Sequence, residues 1–246
     1  MYVATYNLRM GGRAGERVHW SRIWELTQPS IFLVQESLSP EIYLAPHVAQ
    51  KHRERLFWAA IPANRWGSAL FVDGSQLRPL TVQGYEGWVV GAEIDDFQHP
   101  DGSIAPLQVF SLHAPAGPGG YVGQVERILD ALASLRNGSA LLLGGDFNIT
   151  VSSPLPEDPF RLSRSMQRVL RRLEEEFGLI NCWRTANPGQ PLAQTLRWSR
   201  NPALPYHCDG LFVPRQWASS LRSCEVLSSP EWSHLSDHNP VVARFG

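Results

Sequence analysis

Residues 140–150 read ALLLGGDFNIT, and the point where this run turns from apolar to polar decides how the chain is read. The apolar part is too short for a helix and is apolar on both alternating sets, as in a strand covered on both faces. Gly144 and Gly145 then allow the backbone to bend or to approach another group closely. Period-two alternation puts Asp146 and Asn148 on one face and turns Phe147 into the core. A carboxylate can take a proton or bind a cation, whereas an amide donates and accepts hydrogen bonds without changing charge. Together they can activate and aim a water. An Asp and an Asn at a strand end also suit an ordinary turn, so the flanking chain has to decide between the two.

On the N-terminal side, Val122, Val125, Ile128, Leu129, Leu132 and Leu135 recur at three- and four-residue steps, an amphipathic helix closed by Asn137-Gly138. Before it, a strand at 104–112 delivers His113 into the Pro/Gly-rich loop 114–120. On the C-terminal side, the Pro-rich loop 152–160 is long enough to line a cleft. A second helix follows, with Met166, Val169, Leu170, Leu173 and Phe177 on one face and Gly178 as its stop signal.

The chain start repeats the theme of a polar group at a strand exit. Residues 2–8 form a first strand carrying Asn7 just before the turn Arg9-Met10-Gly11-Gly12, 18–27 read as a helix, and 30–35 form a second strand ending at Glu36. Residues 56–60, 67–72, 77–82 and 87–94 look like successive strands of an antiparallel meander, with 95–102 as a polar hairpin loop. Near the C-terminus, 202–206 lead into a strand at 207–213 interrupted by Asp209, another strand lies at 221–227, and the last at 239–245. Between these two, Asp237 and His238 stand at the final strand's entrance.

With 246 residues, a hydrophobic fraction of 43% and no repeat or linker composition, the chain reads as one domain over 1–246. Strands outnumber helices and meanders mix with helical crossovers. The expected class is α/β (α+β), a four-layer sandwich of two packed mixed β-sheets flanked by helices. No apolar run reaches membrane-spanning length and a strand begins almost at Met1, so a cytoplasmic monomer with no membrane role is expected. Cys182, Cys208 and Cys224 are odd in number and lack paired metal-site spacing, which suggests reduced, packed thiols. A net charge of −1 counts against non-specific binding to long duplexes but leaves room for a local basic cleft.

The polar residues at strand ends are Asn7, Glu36, His113, Asp146, Asn148, Asp209, Asp237 and His238. Several adjoin apolar residues, and carboxylates buried together repel one another without a cation. A set of Glu, Asp and Asn oxygens suits magnesium or manganese. The ordered motifs YN, QES, SLHAP, GGDFN, HCDGLFV and SDHNPV, spanning Asn7 to Pro240, resemble the endonuclease/exonuclease/phosphatase superfamily, which includes pancreatic deoxyribonuclease and the abasic-site endonucleases. Each motif is weak singly. Six in the same order are much more specific.

That resemblance implies a metal-dependent phosphoesterase using Mg2+ or Mn2+. Glu36 would be the principal ligand, with Asn7 and Asp237 near the ion. Asp146 would deprotonate or orient the attacking water, and Asn148 would hold water or phosphate in line. Asp209 would fix the tautomer of His238 so that His238 donates to a phosphate oxygen. His113 matches the deoxyribonuclease branch, where a His assists the leaving oxygen; the abasic-site branch has Tyr there. One departure stands out, because the acid that supports that His in pancreatic deoxyribonuclease is replaced by Arg65-Trp66.

Every one of these residues also has a structural use: Asn7 and Asp237 in turns, Glu36 as a solvated strand-end acid, His113 as a satisfied loop histidine, and Asp209 with His238 as a packing pair. Among nine tryptophans, Trp66, Trp183 and Trp198 fall beside the loops of the expected active face and are candidates for stacking on a base, whereas Trp24, Trp58 and Trp88 sit in apolar surroundings. The Arg-rich stretch Arg161, Arg164, Arg168, Arg171 and Arg172 is followed by Glu174, Glu175 and Glu176 at helical spacing, a solvated face. The expected function is phosphodiester hydrolysis by in-line water attack, on DNA or RNA first. A lipid, inositol or other small-molecule phosphoester is the alternative substrate, and a catalytically retired nucleic-acid- or protein-binding module is the alternative class.

Overall fold

The computed structural model of the chain describes residues 1–246 apart from 11–19, 21, 24–27, 29, 43–49, 51–52, 158–160, 199, 201–203 and 205. Most of the helix expected at 18–27, including Trp24, and parts of the loops at 152–160 and 202–206 therefore lie outside the described residues, although Trp20, Arg22 and Ile23 are described and helical.

Two six-stranded mixed sheets pack face to face. The first runs β11 (Leu221–Val226), β12 (Val241–Phe245), β1 (Tyr2–Asn7), β2 (Ile31–Ser37), β4 (Gly67–Val72), β3 (Leu56–Ala60). The second runs β5 (Arg78–Thr81), β6 (Val89–Gln98), β7 (Ile104–His113), β8 (Ala140–Asp146), β10 (Asp209–Pro214), β9 (Leu179–Asn181). Helices α1 (Gly120–Leu135) and α2 (Arg164–Arg171, continued by a π turn at Arg172–Glu176) cover the second sheet; the short helices α3 (Cys182–Ala186) and α4 (Pro230–Leu235) complete the described set.

Alternation within the inner strands builds three packed interfaces. Ile31 and Leu33 join Val90, Val109, Leu142 and Leu211 between the sheets, while Phe32 and Val34 turn outward to Trp20, Ile23 and Trp232. Leu141 and Leu143 face Val125, Ile128, Leu129 and Val169 of α1 and α2. This is the expected four-layer arrangement, held mainly by apolar burial.

The meander expectation is corrected. β3 and β4 pair in the first sheet, and the chain then crosses to the second sheet before β5, β6 and β7. Local alternation fixes a strand's faces but not its sheet. Pro79 sits on edge strand β5, where a missing N–H is tolerated. The expected loop at 95–102 is shorter, because β6 runs to Gln98 through a register shift between Ile94 and Phe97. The strand expected from 207 begins at Asp209, and β9, α3 and α4 were not foreseen, being too short for a periodic signal.

Topology places the site. β1 pairs with β2 and β7 with β8 in parallel, so Asn7, Glu36, His113 and Asp146 leave their strands at a common end. β10 and β12 are antiparallel to β8 and β1, so they contribute their beginnings, with Asp209 opposite Asp146 and the 236–239 segment just ahead of β12. Just beneath, a buried polar layer ties the sheets together: Gln35 donates to Ser111 Oγ at 2.9 Å, accepts from Thr5 Oγ1 at 3.2 Å, and Ser111 Oγ donates to Val34 O at 3.1 Å.

Candidate active site

Asp146 is delivered by β8, whose glycines have separate jobs. A Cβ on Gly144 would stand 2.7 Å from Leu33 of the opposite sheet, and one on Gly145 would lie 1.8 Å from Leu112 O at a φ of +145°. The strand ends at Asp146, and the reading that plain alternation carries Asn148 to the same face is corrected. Asn148 sits at φ +53°, and its N–H donates to Asp146 Oδ1 at 2.9 Å, so a side-chain-closed turn brings the two together. Phe147 points into the core as expected. Asn148 Nδ2 donates to Ala114 O at 3.0 Å, leaving its Oδ1 to accept from a water.

Asn7 is the hub between the sheets. Its Nδ2 donates to Asp146 Oδ2 at 3.0 Å and Glu36 Oε1 at 3.2 Å, while Oδ1 accepts from Arg9 N–H at 2.9 Å. Glu36 lies at a bulge in β2 with φ +53°, a conformation that aims its carboxylate inward, and Oε2 accepts from Met10 N–H at 2.7 Å. Burial pushes the Glu36 carboxyl above the ordinary carboxylate range, against the bond from Asn7. Asp146 is likewise raised, by burial and then by the charge of Asp209.

His238 lies between the two acids: Nδ1 is 2.9 Å from Asp209 Oδ2, and Nε2 is 3.8 Å from Asp146 Oδ2. Burial pulls its pKa down, but Asp209, Asp146 and the Asp209 hydrogen bond outweigh this and hold it up at about 10. Asp209 thus fixes an imidazolium whose Nε2–H is directed toward the site. His113 behaves oppositely. Its Nε2 is 3.6 Å from Glu36 and 3.8 Å from Asp146, yet burial dominates and lowers it to about 4, so it is neutral.

The acid missing near His113 is replaced by aromatic rings. Trp66 and Trp88 lie 5.8 and 5.1 Å from the imidazole, and Nδ1 has no hydrogen-bond partner among the described residues. Trp88, assigned to packing by its apolar surroundings, is therefore a site neighbour that only the crossing between sheets reveals. Trp198 is 42% exposed, edge-on to Tyr206 and facing Arg200, on a segment that bridges to His238 through Leu196. Trp183 is half-buried, packed against the inter-sheet core with its ring 5.7 Å from that of His207.

Two groups of possible metal ligands emerge. Asp146, Cys208, Asp209 and His238 bring potential ligand atoms within 4.8 Å of one another. In that group His238 Nδ1 is committed to Asp209, and burial drives the Cys208 thiol well above its ordinary range, so its members are bonded to one another as a buried acid/histidine cluster. The other comprises the residues that the resemblance offers as ligands: Asn7 is bonded to Glu36, and the charge of Asp237 acts on Glu36. Asp237 binds Arg9 Nε at 3.1 Å through Oδ2, while its Oδ1 is buried without a hydrogen-bond partner among the described residues. Orphaned carboxylate oxygen beside a desolvated glutamate suits a hard cation.

The two-sheet fold, as the resemblance implied, is shared with solved endonuclease and phosphatase structures. Similar solved structures are the catalytic domain of Xenopus laevis APE2 (TM-score 0.72, 17% identity, covering 100% of this chain and 91% of that one) and an AP endonuclease from Archaeoglobus fulgidus (0.69, 17%, 100% and 99%). A 3′ phosphatase, NExo, from Neisseria bound to product DNA hairpin is similar too (0.68, 17%, 100% and 99%). No protein-family model matches the sequence. Among curated proteins, the chain is 27% identical over 114 residues, 46% of its length, to the Transposon TX1 uncharacterized 149 kDa protein of Xenopus laevis, and it spans only 8% of that relative. Among the described residues, no helix is long and apolar enough to cross a membrane.

Proposed function

We propose that the chain is a metal-dependent phosphodiesterase that cleaves DNA or RNA by in-line attack of water. One observation carries this reading: Asn7, Glu36, His113, Asp146, Asp209 and His238, drawn from six separate stretches, meet in one buried network at a common sheet end. The nucleic-acid assignment is supported by what the similar structures are named for, an AP endonuclease and a 3′ phosphatase with a DNA hairpin.

Glu36, Asn7 and Asp237 would hold the divalent ion. When bound, magnesium or manganese neutralises charge on the scissile phosphate. Asp146 accepts the proton of the attacking water, which its desolvated, raised pKa favours, and Asn148 accepts a hydrogen bond that aims it. His238, charged and fixed by Asp209, donates from Nε2 to a phosphate oxygen. Neutral His113 donates a hydrogen bond to the phosphate or leaving oxygen, and Trp66 and Trp198 border the substrate. A single-domain cytoplasmic monomer belongs to the same proposal, checked by light scattering and cell fractionation.

The test is a panel of plasmid, abasic-site duplex, single-stranded RNA, 5′-tyrosyl DNA and sphingomyelin, with magnesium or manganese, beside Glu36→Ala. The variant keeps its fold and loses activity by at least about a hundredfold. Cleavage of sphingomyelin alone moves the substrate to the lipid class. Full turnover by Glu36→Ala at ordinary magnesium removes the metal assignment.

A further inference from the structure

The 236–239 segment carries Asp237, whose charge acts on Glu36, and His238, which meets Asp146 and Asp209, and it lies between α4 and β12, outside the named strands. Its backbone groups are satisfied instead by Thr195, Leu196 and Arg197. Asn239 N–H donates to Thr195 O at 2.7 Å, Leu196 bridges to His238, and Arg197 N–H donates to Asp237 O at 2.8 Å. The Arg197 guanidinium does more. Its NH2 group donates to Ser236 O and, at 3.3 Å, to His238 O, while NH1 donates to Asn239 Oδ1. One residue thereby holds three consecutive carbonyls and the following side chain.

We propose that Arg197 is a positioning residue that sets Asp237 and His238 relative to one another, so that the metal-holding and phosphate-activating halves of the site are assembled by a single guanidinium. This rests on the function argued above. The chemistry requires Arg: a rigid planar fork spans two carbonyls and an amide oxygen at once, whereas a lysine ammonium is a single point on a flexible stem. Arg197 and Asn239 also line an open cavity of about 510 Å³ with Ala193, Gln194, Pro230 and Ser233. A small cation can therefore reach the guanidinium position from solvent.

The experiment compares wild type, Arg197→Ala and Arg197→Lys in turnover, Mn2+ binding by electron paramagnetic resonance, and amide exchange at 236–239. Arg197→Ala keeps a cooperative unfolding transition, loses about a hundredfold in kcat with KM within about threefold, and binds Mn2+ about tenfold more weakly, in line with misplaced reacting groups. Arg197→Lys recovers little. Guanidinium at tens of millimolar, below its denaturing range, restores at least tenfold of the kcat lost by Arg197→Ala, and methylammonium at equal concentration does not. Equal rescue by both cations, or Arg197→Lys behaving as wild type, overturns the proposal. If wild type cleaves nothing on the panel, the function argued above has failed, and the clamp is judged on exchange: unchanged protection of 236–239 in Arg197→Ala overturns it.

Discussion

His238 and Asp209 show how one hydrogen bond assigns two roles. With Nδ1 held by the Asp209 carboxylate, the imidazole keeps its proton and presents Nε2–H to the site. Removing the carboxylate therefore acts through the histidine. The double variant Asp209→Asn/His238→Ala loses little more activity than His238→Ala in steady-state kinetics; additive losses show that the residues act separately. His113 has carboxylates near Nε2, but among the described residues none holds its Nδ1. Burial between Trp66 and Trp88 lowers its pKa to about 4, so at neutral pH it offers a hydrogen bond and not an acidic proton. His113→Gln accordingly retains part of the activity that His113→Ala loses. If instead Gln fails and a nitrophenolate-leaving diester rescues His113→Ala, His113 is a general acid of the usual worth, about a hundredfold or more.

At the scale of elements, β8 combines a buried strand with two glycines that let it touch both neighbours. A methyl group at 145 meets Leu112 O of β7 and forces an L residue into a left-handed φ, two independent penalties. Gly145→Ala lowers unfolding free energy by about 3 kcal/mol, read from the urea midpoint at constant slope. A change below about 0.5 kcal/mol contradicts the close approach of β7 and β8. The helices bear on sequence reading more directly. The Arg-rich stretch was expected to pair with the glutamates that follow it. Arg172 does reach Glu176, but Arg172 also binds Asp130 and Arg168 binds Glu126, both on α1. Spacing along a helix reveals its own i, i+4 pairs, whereas partners on a second helix depend on how the two dock.

For the molecule as a whole, histidines buried neutral lower stability in acid, against the raised carboxyls of Glu36 and Asp146, which favour the native state there. Burial lowers His207 to about 4, against the bond its Nδ1 makes to Ala193 O, and His113 is lowered likewise. The sign follows from proton uptake. Below the unfolded histidine pKa of about 6.5 the unfolded chain binds protons that the native state refuses until about pH 4, so stability falls as pH drops through that window. Each such group contributes a slope approaching about 1.4 kcal/mol per pH unit. His207→Asn, whose amide can serve Ala193 O, flattens the acid limb by about one proton in urea unfolding at stepped pH. Parallel curves for variant and wild type contradict the assignment.

The sequence by itself determined the strands of the inner sheet layers, the two long helices, the sandwich class and the identity of the polar residues that leave strand ends, because each is a short-range matter of periodicity and residue chemistry. Asp146, Glu36, Asn7, Asp209 and His238 were legible in this way, sitting at abrupt changes from apolar to polar. Tertiary structure decided what no local pattern encodes: that the chain changes sheet between β4 and β5, that Trp88 therefore lies on His113, that Asn148 is placed by a turn and not by alternation, and that Arg197 grips the segment bearing Asp237 and His238. The physical reason is range. Alternation and propensity act over a few residues, but contacts such as Asn7 with Asp146 or Arg197 with His238 join positions 139 and 41 residues apart, and only the packed sheets bring them together.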